Sequence, residues 1–440
     1  MSATVPSPIP DDAASQTAPA FSELVRVFAR IGVLSFGGPA GQIALMHREL
    51  VDERAWINER TYLSALNFCM LLPGPEAMQL ATYVGWRLHG LRGGLAAGLL
   101  FVLPGALIVF ALALLYASFG QLPLVATLFV GIKAAVLVIV VEALLRVARR
   151  ALRGWIDWLI ALFAFLAIFA FNVPFPLVVL AAAATGFIRR RHQAPSAMLP
   201  PAPVPFAKTV RTLGVGIAIW LLPLAAIVVI FGWDHVLSQL AWFFSKLAVV
   251  TFGGAYAVLA YMAQDVVQGF GWLTAGEMLD ALGLAETTPG PLILVTEFVG
   301  TLAAWRHGGG PPLAMAALGA LVSLWATFAP CFIWIFAGAP YLERLNAEPR
   351  IASALAAVTA AVVGVIANLT AWFALHVLFA RVDTVEAGIL RLHVPDLASL
   401  QPVTVALSLA AAALLFALHR SVLETLAVTA ALAVAISAVA

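Results

Sequence analysis

Two cations occupy matching positions in this chain, each shortly before a hydroxyl residue and a pair of glycines. Arg30 stands five residues before the first residue of Ser35-Phe36-Gly37-Gly38. Lys246 stands at the same distance before Thr251-Phe252-Gly253-Gly254. A cation within an apolar segment is costly and usually marks a pathway or an ion pair, while glycines let the backbone expose its N–H groups. This combination predicts an anion site shared by the two stretches. The alternatives are a cation that reaches the lipid headgroups and glycines that serve close helix packing.

The two stretches belong to an internal duplication with a fixed offset of 216 residues, from Phe36 to Phe252. The same offset carries Pro73-Gly74-Pro75 onto Pro289-Gly290-Pro291. Such a tripeptide cannot continue through a regular helix, so each copy has a backbone break followed by a new half-helix. The N-terminus of a half-helix has free N–H groups and the positive end of the helix dipole, which suit an anion. A single break would be read as a tight turn or a kink, but the duplication favours a binding role, with Gly74 and Gly290 facing one central site.

Other polar residues lie beside the breaks or within apolar spans. Thr287 and Thr288 are expected to donate hydroxyl groups to an oxyanion or to cap the following half-helix. Lys133 lies in mid-span and is a third anion contact, a substrate-linked switch, or one half of an internal pair with a carboxylate. Burial favours the protonated form of a carboxyl group, so a buried acid can carry a coupling proton. The candidates for that role are Glu76, Glu286, Glu142 and Glu297, although Glu76 is better placed to cap a half-helix.

Composition places the chain among membrane proteins. Of its 440 residues, 63% are hydrophobic and only 10% charged, and the mean hydropathy is +1.01. Soluble domains have about 25% charged residues. The net charge is only +2, and the Lys and Arg residues lie in short loops between helices. The charge therefore gives no reason to expect nucleic acid as a partner.

Motifs for other function classes do not occur in the sequence. Cys69 and Cys331 lie in apolar surroundings, which excludes a disulfide framework. There is no Walker sequence, no cluster of His and Cys, and no G-x-S-x-G, so an ATP-driven pump, a metalloenzyme and a serine hydrolase have no support. We therefore expect neither an enzyme nor a cofactor.

The predicted fold is an all-α polytopic membrane protein with two homologous repeats. The predicted segments are a disordered cytoplasmic tail at 1–20, a first repeat at 21–188, a linker at 189–208, an extra span at 209–234 and a second repeat at 235–440. Arginines flank both ends of the short helical hairpin that closes the first repeat, whereas no Lys or Arg occurs between Lys246 and Arg306. The positive-inside rule then places the loop around Asp265 outside and its counterpart in the first repeat inside. Inverted repeats with interrupted helices are typical of secondary transporters.

The two motif pairs resemble those of the chromate ion transporter family in its long, two-domain form. The resemblance rests on Ser35-Phe36-Gly37-Gly38-Pro39 with Leu72-Pro73-Gly74-Pro75, and on their second copies, and it extends from residue 21 to the C-terminus. It implies a multi-pass protein of the bacterial inner membrane that exports chromate and confers chromate resistance. The energy would come from the membrane potential or from ion exchange.

Three classes of function follow from these patterns. Secondary transport of a tetrahedral oxyanion is the leading interpretation, with chromate or its close analogue sulfate as the substrate. An anion channel, in which the same half-helix ends line a pore, is the alternative. A membrane-embedded enzyme or scaffold ranks last. The lipid bilayer is the expected environment, and a homodimer is one candidate assembly.

Overall fold

The computed structural model describes residues 19–189, 206–250, 252, 255–342, 348–388 and 390–439. Most of the predicted tail and linker, and the site candidates Thr251, Gly253 and Gly254, lie outside these residues.

The described residues form sixteen helices and one β-hairpin. The first copy contains α1 (Phe21–Leu34), α2 (Gly38–His47), α3 (Glu59–Leu71), α4 (Glu76–Phe119), α5 (Pro123–Ala151), α6 (Trp155–Phe169) and α7 (Phe175–Arg189). Helix α8 (Phe206–Phe231) follows, and then α9 (Val236–Val250), α10 (Ala255–Gln264), α11 (Ala275–Thr287), α12 (Val295–His307), α13 (Pro312–Gly338), α14 (Pro349–Leu378), α15 (Pro402–Ala412) and α16 (Val422–Val439). Five described helices are long and apolar enough to cross a membrane, which confirms the predicted helical polytopic fold. The hairpin of β1 (Val382–Ala387) and β2 (Leu390–Pro395) was not predicted.

Corresponding helices of the two copies begin at corresponding residues. Helix α3 maps onto α11 residue for residue with the offset of 216, and each is capped by the preceding side chain. Asn58 accepts a hydrogen bond from the Thr61 N–H, and Thr274 accepts one from the Glu277 N–H. Asn and Thr are favoured at this position because their side-chain oxygens satisfy a free N–H group. Farther along, the offset becomes 226, so that α5 and α14 both begin with a proline.

Helix α4 is two antiparallel segments rather than one straight rod. The backbone leaves helical geometry at His89-Gly90, which separates segment 76–88 (α4a) from segment 91–119 (α4b). The segments touch where Gly85 meets Gly93, and a Cβ on either glycine would collide with the carbonyl oxygen of the other. In the second copy Gly300 of α12 meets Gly319 of α13 in the same way. Small residues thus allow both hairpins to close tightly.

The proline-glycine-proline breaks are the tips of re-entrant hairpins. Arg306 at the end of α12 contacts Glu277 at the start of α11 at 2.5 Å between Nη2 and Oε1. A continuous helix would separate these residues by about 40 Å, so α11 and α12 must fold back on each other. Each has 13 residues, or about 20 Å, too short to cross a bilayer core of about 30 Å. The predicted break is confirmed, and the structure shows that it reverses the chain direction.

The two copies are inverted relative to each other. Segment α4b and helix α13 correspond under the offset of 226, which pairs Pro104 with Pro330. They pack antiparallel: a Cβ on Gly94 would lie 2.6 Å from the Phe336 ring, and one on Gly98 would lie 2.5 Å from the Phe332 ring. Equivalent helices that run side by side in opposite directions require an inverted repeat, as predicted.

Two helices of each copy also pack against a long helix of the other copy. Helix α14 packs against α6 and α7 of the first copy, and α5 packs against α15 and α16 of the second. Glycines mark these crossings, since a Cβ on Gly364 would collide with the Ala161 carbonyl oxygen and one on Gly131 with that of Thr429. The copies therefore share one interlocked core.

A matched pair of glycine substitutions tests this interlock. Gly364→Ala should lower the thermal unfolding midpoint of the purified protein, since overpacking a helix crossing costs about 1–3 kcal/mol. Gly214→Ala in α8 is the control, because that position has open space around its Cβ. Alanine there should be neutral or slightly stabilising, since it favours helix over glycine by about 1 kcal/mol. Equal midpoints for the two variants would contradict the close crossing.

Cysteine labelling tests the inversion across the membrane. Glu53 and Gly269 are equivalent under the offset of 216 and both are exposed, whereas the native Cys69 and Cys331 are buried. A membrane-impermeant maleimide should label Gly269→Cys from outside intact cells and Glu53→Cys only in inside-out vesicles. Labelling of both from one side would refute the inverted orientation.

Candidate functional site

Each proline-glycine-proline tip packs against the long helix of the opposite copy. Gly290, with φ +91°, lies on Gly105 of α4b, where a Cβ would collide with the Pro289 carbonyl oxygen. Gly74, with φ +114°, lies on Cys331 of α13, whose Sγ would be 2.8 Å from a Cβ on Gly74. Gly105 and Cys331 are equivalent under the offset of 226, so the two tips make the same contact in the two copies. The breaks therefore meet the interface between the repeats.

The diglycine stretch of the first copy is hydrogen-bonded to the tip of the second. The Gly290 N–H donates to the Ser35 carbonyl oxygen at 2.9 Å, and Gln42 Nε2 donates to the Gly290 carbonyl oxygen at 2.6 Å. Ser35 and Gln42 are both buried. These bonds satisfy backbone groups that a broken helix leaves free at membrane depth.

Gln42 is a site residue that the sequence patterns did not predict. It is a buried polar side chain of α2, and its counterpart under the offset of 216 is the apolar Val258. An amide that only one copy possesses, within an otherwise apolar helix, was the signal that could have identified it.

The predicted ligands at the first diglycine have separate roles. The Ser35 hydroxyl donates to the Ile31 carbonyl oxygen at 2.7 Å, so it stabilises the end of α1. Gly37 and Gly38 have φ values of +84° and +68°, and no atom lies near the position of a Cβ on either. This left-handed backbone favours glycine and leaves the loop accessible.

Each predicted cation pairs with the equivalent acid of its own copy. Arg30 Nε lies 3.6 Å from Glu49 Oε1, and Lys246 Nζ lies 3.5 Å from Asp265 Oδ2. Glu49 and Asp265 correspond under the offset of 216, so the duplication preserves the pair as well as the cation. Arg54 also binds Glu49, at 2.6 Å, and 56% of the Arg30 side chain is exposed. Arg30 is therefore free to take a further anionic partner, and its role in anion binding stays a prediction, as does that of Lys246.

The two threonines before the second tip cap the preceding helix. Thr287 Oγ1 donates to the Leu284 carbonyl oxygen at 2.7 Å, and Thr288 Oγ1 donates to that of Ala285 at 3.1 Å. The capping interpretation placed them on the following half-helix, and the structure corrects it: their hydroxyls bind carbonyl groups at the end of α11.

Lys133 forms an ion pair with the second copy. Its Nζ lies 3.3 Å from Asp280 Oδ1 in α11, and Tyr116 of α4b donates a hydrogen bond to Asp280 Oδ2 at 2.7 Å. Of the three interpretations of Lys133, the structure shows the pair with a carboxylate, and the partner comes from the other copy.

The four predicted coupling acids lie in different surroundings. Glu286 accepts a hydrogen bond from the Tyr256 hydroxyl at 2.8 Å, and Glu142 pairs with Arg146 one turn farther along α5. Glu297 is buried, and its Oε2 has no hydrogen-bond partner among the described residues. Glu76 is the first residue of α4a, where a carboxylate complements the helix dipole.

Ionic contacts also fix the polar loop after α2. His47, at the end of α2, contacts Asp52 at 3.2 Å and Glu59 at 2.5 Å. The hydrogen bond with Glu59 raises the pKa of His47 above its ordinary value, because it favours the protonated ring. His47 therefore links the end of α2 to the start of α3.

Gln42 offers a direct test of the link between the copies. Gln42→Leu removes its amide and leaves the Gly290 carbonyl oxygen without that donor, which costs about 1–3 kcal/mol for a buried group. The thermal unfolding midpoint should fall by several degrees. Gln239→Leu is the control, because Gln239, which is only half-buried, also donates to a backbone carbonyl, that of Asp234. A midpoint for Gln42→Leu equal to that of the control would show that the link contributes nothing.

Comparisons with known proteins agree with this architecture. A family model described as chromate transporter matches residues 22–187 and 238–439, one match in each repeat. A chromate transport protein from Pseudomonas aeruginosa is 34% identical over 387 residues, which are 86% of this chain and 87% of the relative. A probable chromate transport protein from Synechococcus elongatus is 33% identical over 353 residues, 80% of this chain and 84% of the relative. An uncharacterised transporter from Methanocaldococcus jannaschii is 28% identical over 355 residues, 80% and 83% of the two chains. No solved structure matches the chain significantly.

Proposed function

The chain belongs to the chromate transporter family, and we propose that it is a secondary transporter that exports chromate across the bacterial inner membrane and thereby confers chromate resistance. Family membership and the long apolar helices make it a multi-pass bacterial membrane protein.

The observation that carries this proposal is the reciprocal packing of the two re-entrant tips. Each tip brings a half-helix N-terminus to the other copy's long helix, at Gly105 in one case and at Cys331 in the other. N-termini in inverted copies converge on a central site in secondary transporters, where they bind anionic groups. A conformational change that exchanges the two copies' environments would open this site alternately to the two sides.

The positive charge for the anion would come from Arg30 and Lys246. Each stands seven residues before the first glycine of its pair in the sequence, and both retain exposed surface beside their acidic partners. A dianion would bind these cations where the helix ends add their N–H groups. Gly37 and Gly38 would supply further backbone donors. Their sequence counterparts Gly253 and Gly254, and Thr251 as the counterpart of Ser35, lie outside the described residues and stay predicted ligands.

Sulfate is the natural competitor of chromate at such a site. The two dianions have the same shape and charge, and backbone N–H groups bind either. Preference for chromate would depend on the dimensions of the closed site. Sulfate or another oxyanion is therefore the alternative substrate, and both anions belong in the transport assay.

Uptake into inside-out membrane vesicles tests the proposed transport. With an imposed proton gradient and the membrane potential held at zero, labelled chromate should accumulate above equilibrium and should leave when the gradient is collapsed. Uptake that only equilibrates would favour a channel or an uncoupled carrier. Movement of sulfate without chromate would retain the oxyanion site and reject chromate as the substrate.

Charge removal at the two cations tests the shared site. Arg30→Ala and Lys246→Ala should each reduce the initial rate by about tenfold or more, as expected when a charged hydrogen-bonding partner is lost. Arg26→Ala, an exposed position on the same helix α1, should retain the wild-type rate. Wild-type transport by a correctly inserted Arg30→Ala, Lys246→Ala double variant would reject both residues as anion ligands.

A further inference from the structure

Each tip rests directly beside a proline within a long helix of the opposite copy. Pro104 lies inside α4b just before Gly105, which contacts the second tip, and Pro330 lies inside α13 just before Cys331, which contacts the first. Proline has no N–H group for the carbonyl four residues earlier, and its ring pushes that carbonyl away. A change in the bend at either proline therefore moves the residue that supports a tip, and each proline leaves one carbonyl that needs another donor.

The two freed carbonyls have different partners. In α13 the carbonyl belongs to Ala326, and it accepts a hydrogen bond from Trp220 Nε1 of α8 at 3.2 Å. In α4b it belongs to Leu100 and faces Gly32 of α1, where a Cβ would lie 2.0 Å from the carbonyl oxygen. Gly32 offers this oxygen a C–H group, which is a weaker donor than an indole N–H. The second copy thus has an N–H donor from another helix at its proline, and the first copy has a close glycine contact.

Helix α8 contacts α13 on both sides of Pro330. On one side Gly216 lies against Ile333, whose Cγ1 would be 2.9 Å from a Cβ on Gly216. On the other side Trp220 binds the freed carbonyl, and Trp325 Nε1 donates to the Trp220 carbonyl oxygen at 2.9 Å. Since its contacts lie on both sides of the proline, α8 opposes a change in the bend of α13.

This support exists in one copy only, because α8 lies between the two copies and outside the duplicated unit. Most of its described residues are exposed, whereas Trp220 is 6% exposed. A buried indole N–H usually has a hydrogen-bond partner, and here the partner is the carbonyl that Pro330 frees. The helix that breaks the symmetry of the repeat therefore makes its buried polar contact at the support of the first tip.

We propose that Trp220 is a positioning residue for transport, which fixes the bend of α13 and thereby holds the first tip in place. This inference rests on the proposed function and gives α8 a role in it. The first tip, which rests on Cys331, stays fixed together with α13 and α8. Bending during the transport cycle occurs at Pro104, where the contact between Gly32 and Leu100 is close but weakly bonded. The two inverted copies are thus mechanically unequal.

Substitution of two tryptophans separates the bond at the proline from general helix packing. Trp220→Phe keeps an aromatic ring but leaves the Ala326 carbonyl without its indole donor. The initial rate of chromate uptake into inside-out vesicles should fall by about fivefold or more, as expected for an unsatisfied buried acceptor. Trp325→Phe is the matched control, because it removes an indole bond between the same two helices and leaves the donor of Ala326 in place. Its rate should stay near that of the wild type, and equal rates for the two variants would overturn the proposal.

Removal of the proline tests how Trp220 acts. In Pro330→Ala the alanine N–H can bind the Ala326 carbonyl itself, so the indole donor is no longer needed. Trp220→Phe should then cause no further loss of rate in the Pro330→Ala background, whereas a ring that serves packing alone would cause the same loss in both. The thermal unfolding midpoint should follow the same pattern, with a fall of several degrees only when Pro330 is present. An equal loss in both backgrounds, or an inactive Pro330→Ala variant, would overturn the proposal.

The double variant also decides the case in which Trp220→Phe alone fails to insert into the membrane. Insertion and transport by Trp220→Phe, Pro330→Ala at the level of Pro330→Ala would support the proposal, and failure of the double variant to insert would overturn it. A wild-type protein that moved neither chromate nor sulfate would instead defeat the proposed function, and the role of Trp220 in transport with it. The midpoints would still report whether Trp220 stabilises the bend, because they do not depend on transport.

Discussion

A polypeptide broken inside a bilayer must satisfy its N–H and C=O groups within the protein, because the hydrocarbon core offers no partners. That constraint accounts for the way the two copies are joined. The Gly290 N–H and carbonyl groups are bonded to Ser35 and Gln42 of the other copy. Glycines at the tips and in the long helices let the backbones approach closely enough for this exchange. The break at the second tip, which is part of the proposed anion site, therefore also provides hydrogen bonds between the two repeats.

Departures from the symmetry are as informative as the symmetry itself. The cation, its acidic partner, the diglycine stretch and the tip occur in both copies, so they belong to the unit that was duplicated. Gln42, Lys133 and Asp280 occur in one copy only. An inverted pair with identical halves would have no intrinsic bias toward one side of the membrane. Polar and charged groups present in only one half make the two sides of the protein chemically different.

Sequence patterns were sufficient for the parts of the fold that depend on local chemistry. Proline and glycine located both breaks, and the constant offset alone paired Arg30 with Lys246 and Glu49 with Asp265. The distribution of Lys and Arg, together with the duplication, predicted the inversion. These signals work because backbone breaks and buried charges are costly enough to leave a trace in composition.

Properties that depend on distant partners could not be obtained in the same way. The contact between Glu277 and Arg306 shows that the chain folds back at the second tip. The partner of Lys133 is Asp280 in the other copy. Neither sequence spacing nor helical periodicity predicts contacts between residues so far apart in the chain. Thr287 and Thr288 show the same limit at short range, since a hydroxyl between two helices can bind either one.

The number of oxyanions bound per chain tests the account most directly, because its central claim is one site built by two inverted copies. Equilibrium dialysis of labelled chromate or sulfate against the purified protein should give one site per chain. Arg30→Ala and Lys246→Ala should each weaken that single site. Two sites per chain, with each substitution removing only one of them, would show that the copies bind anions separately and would contradict the account.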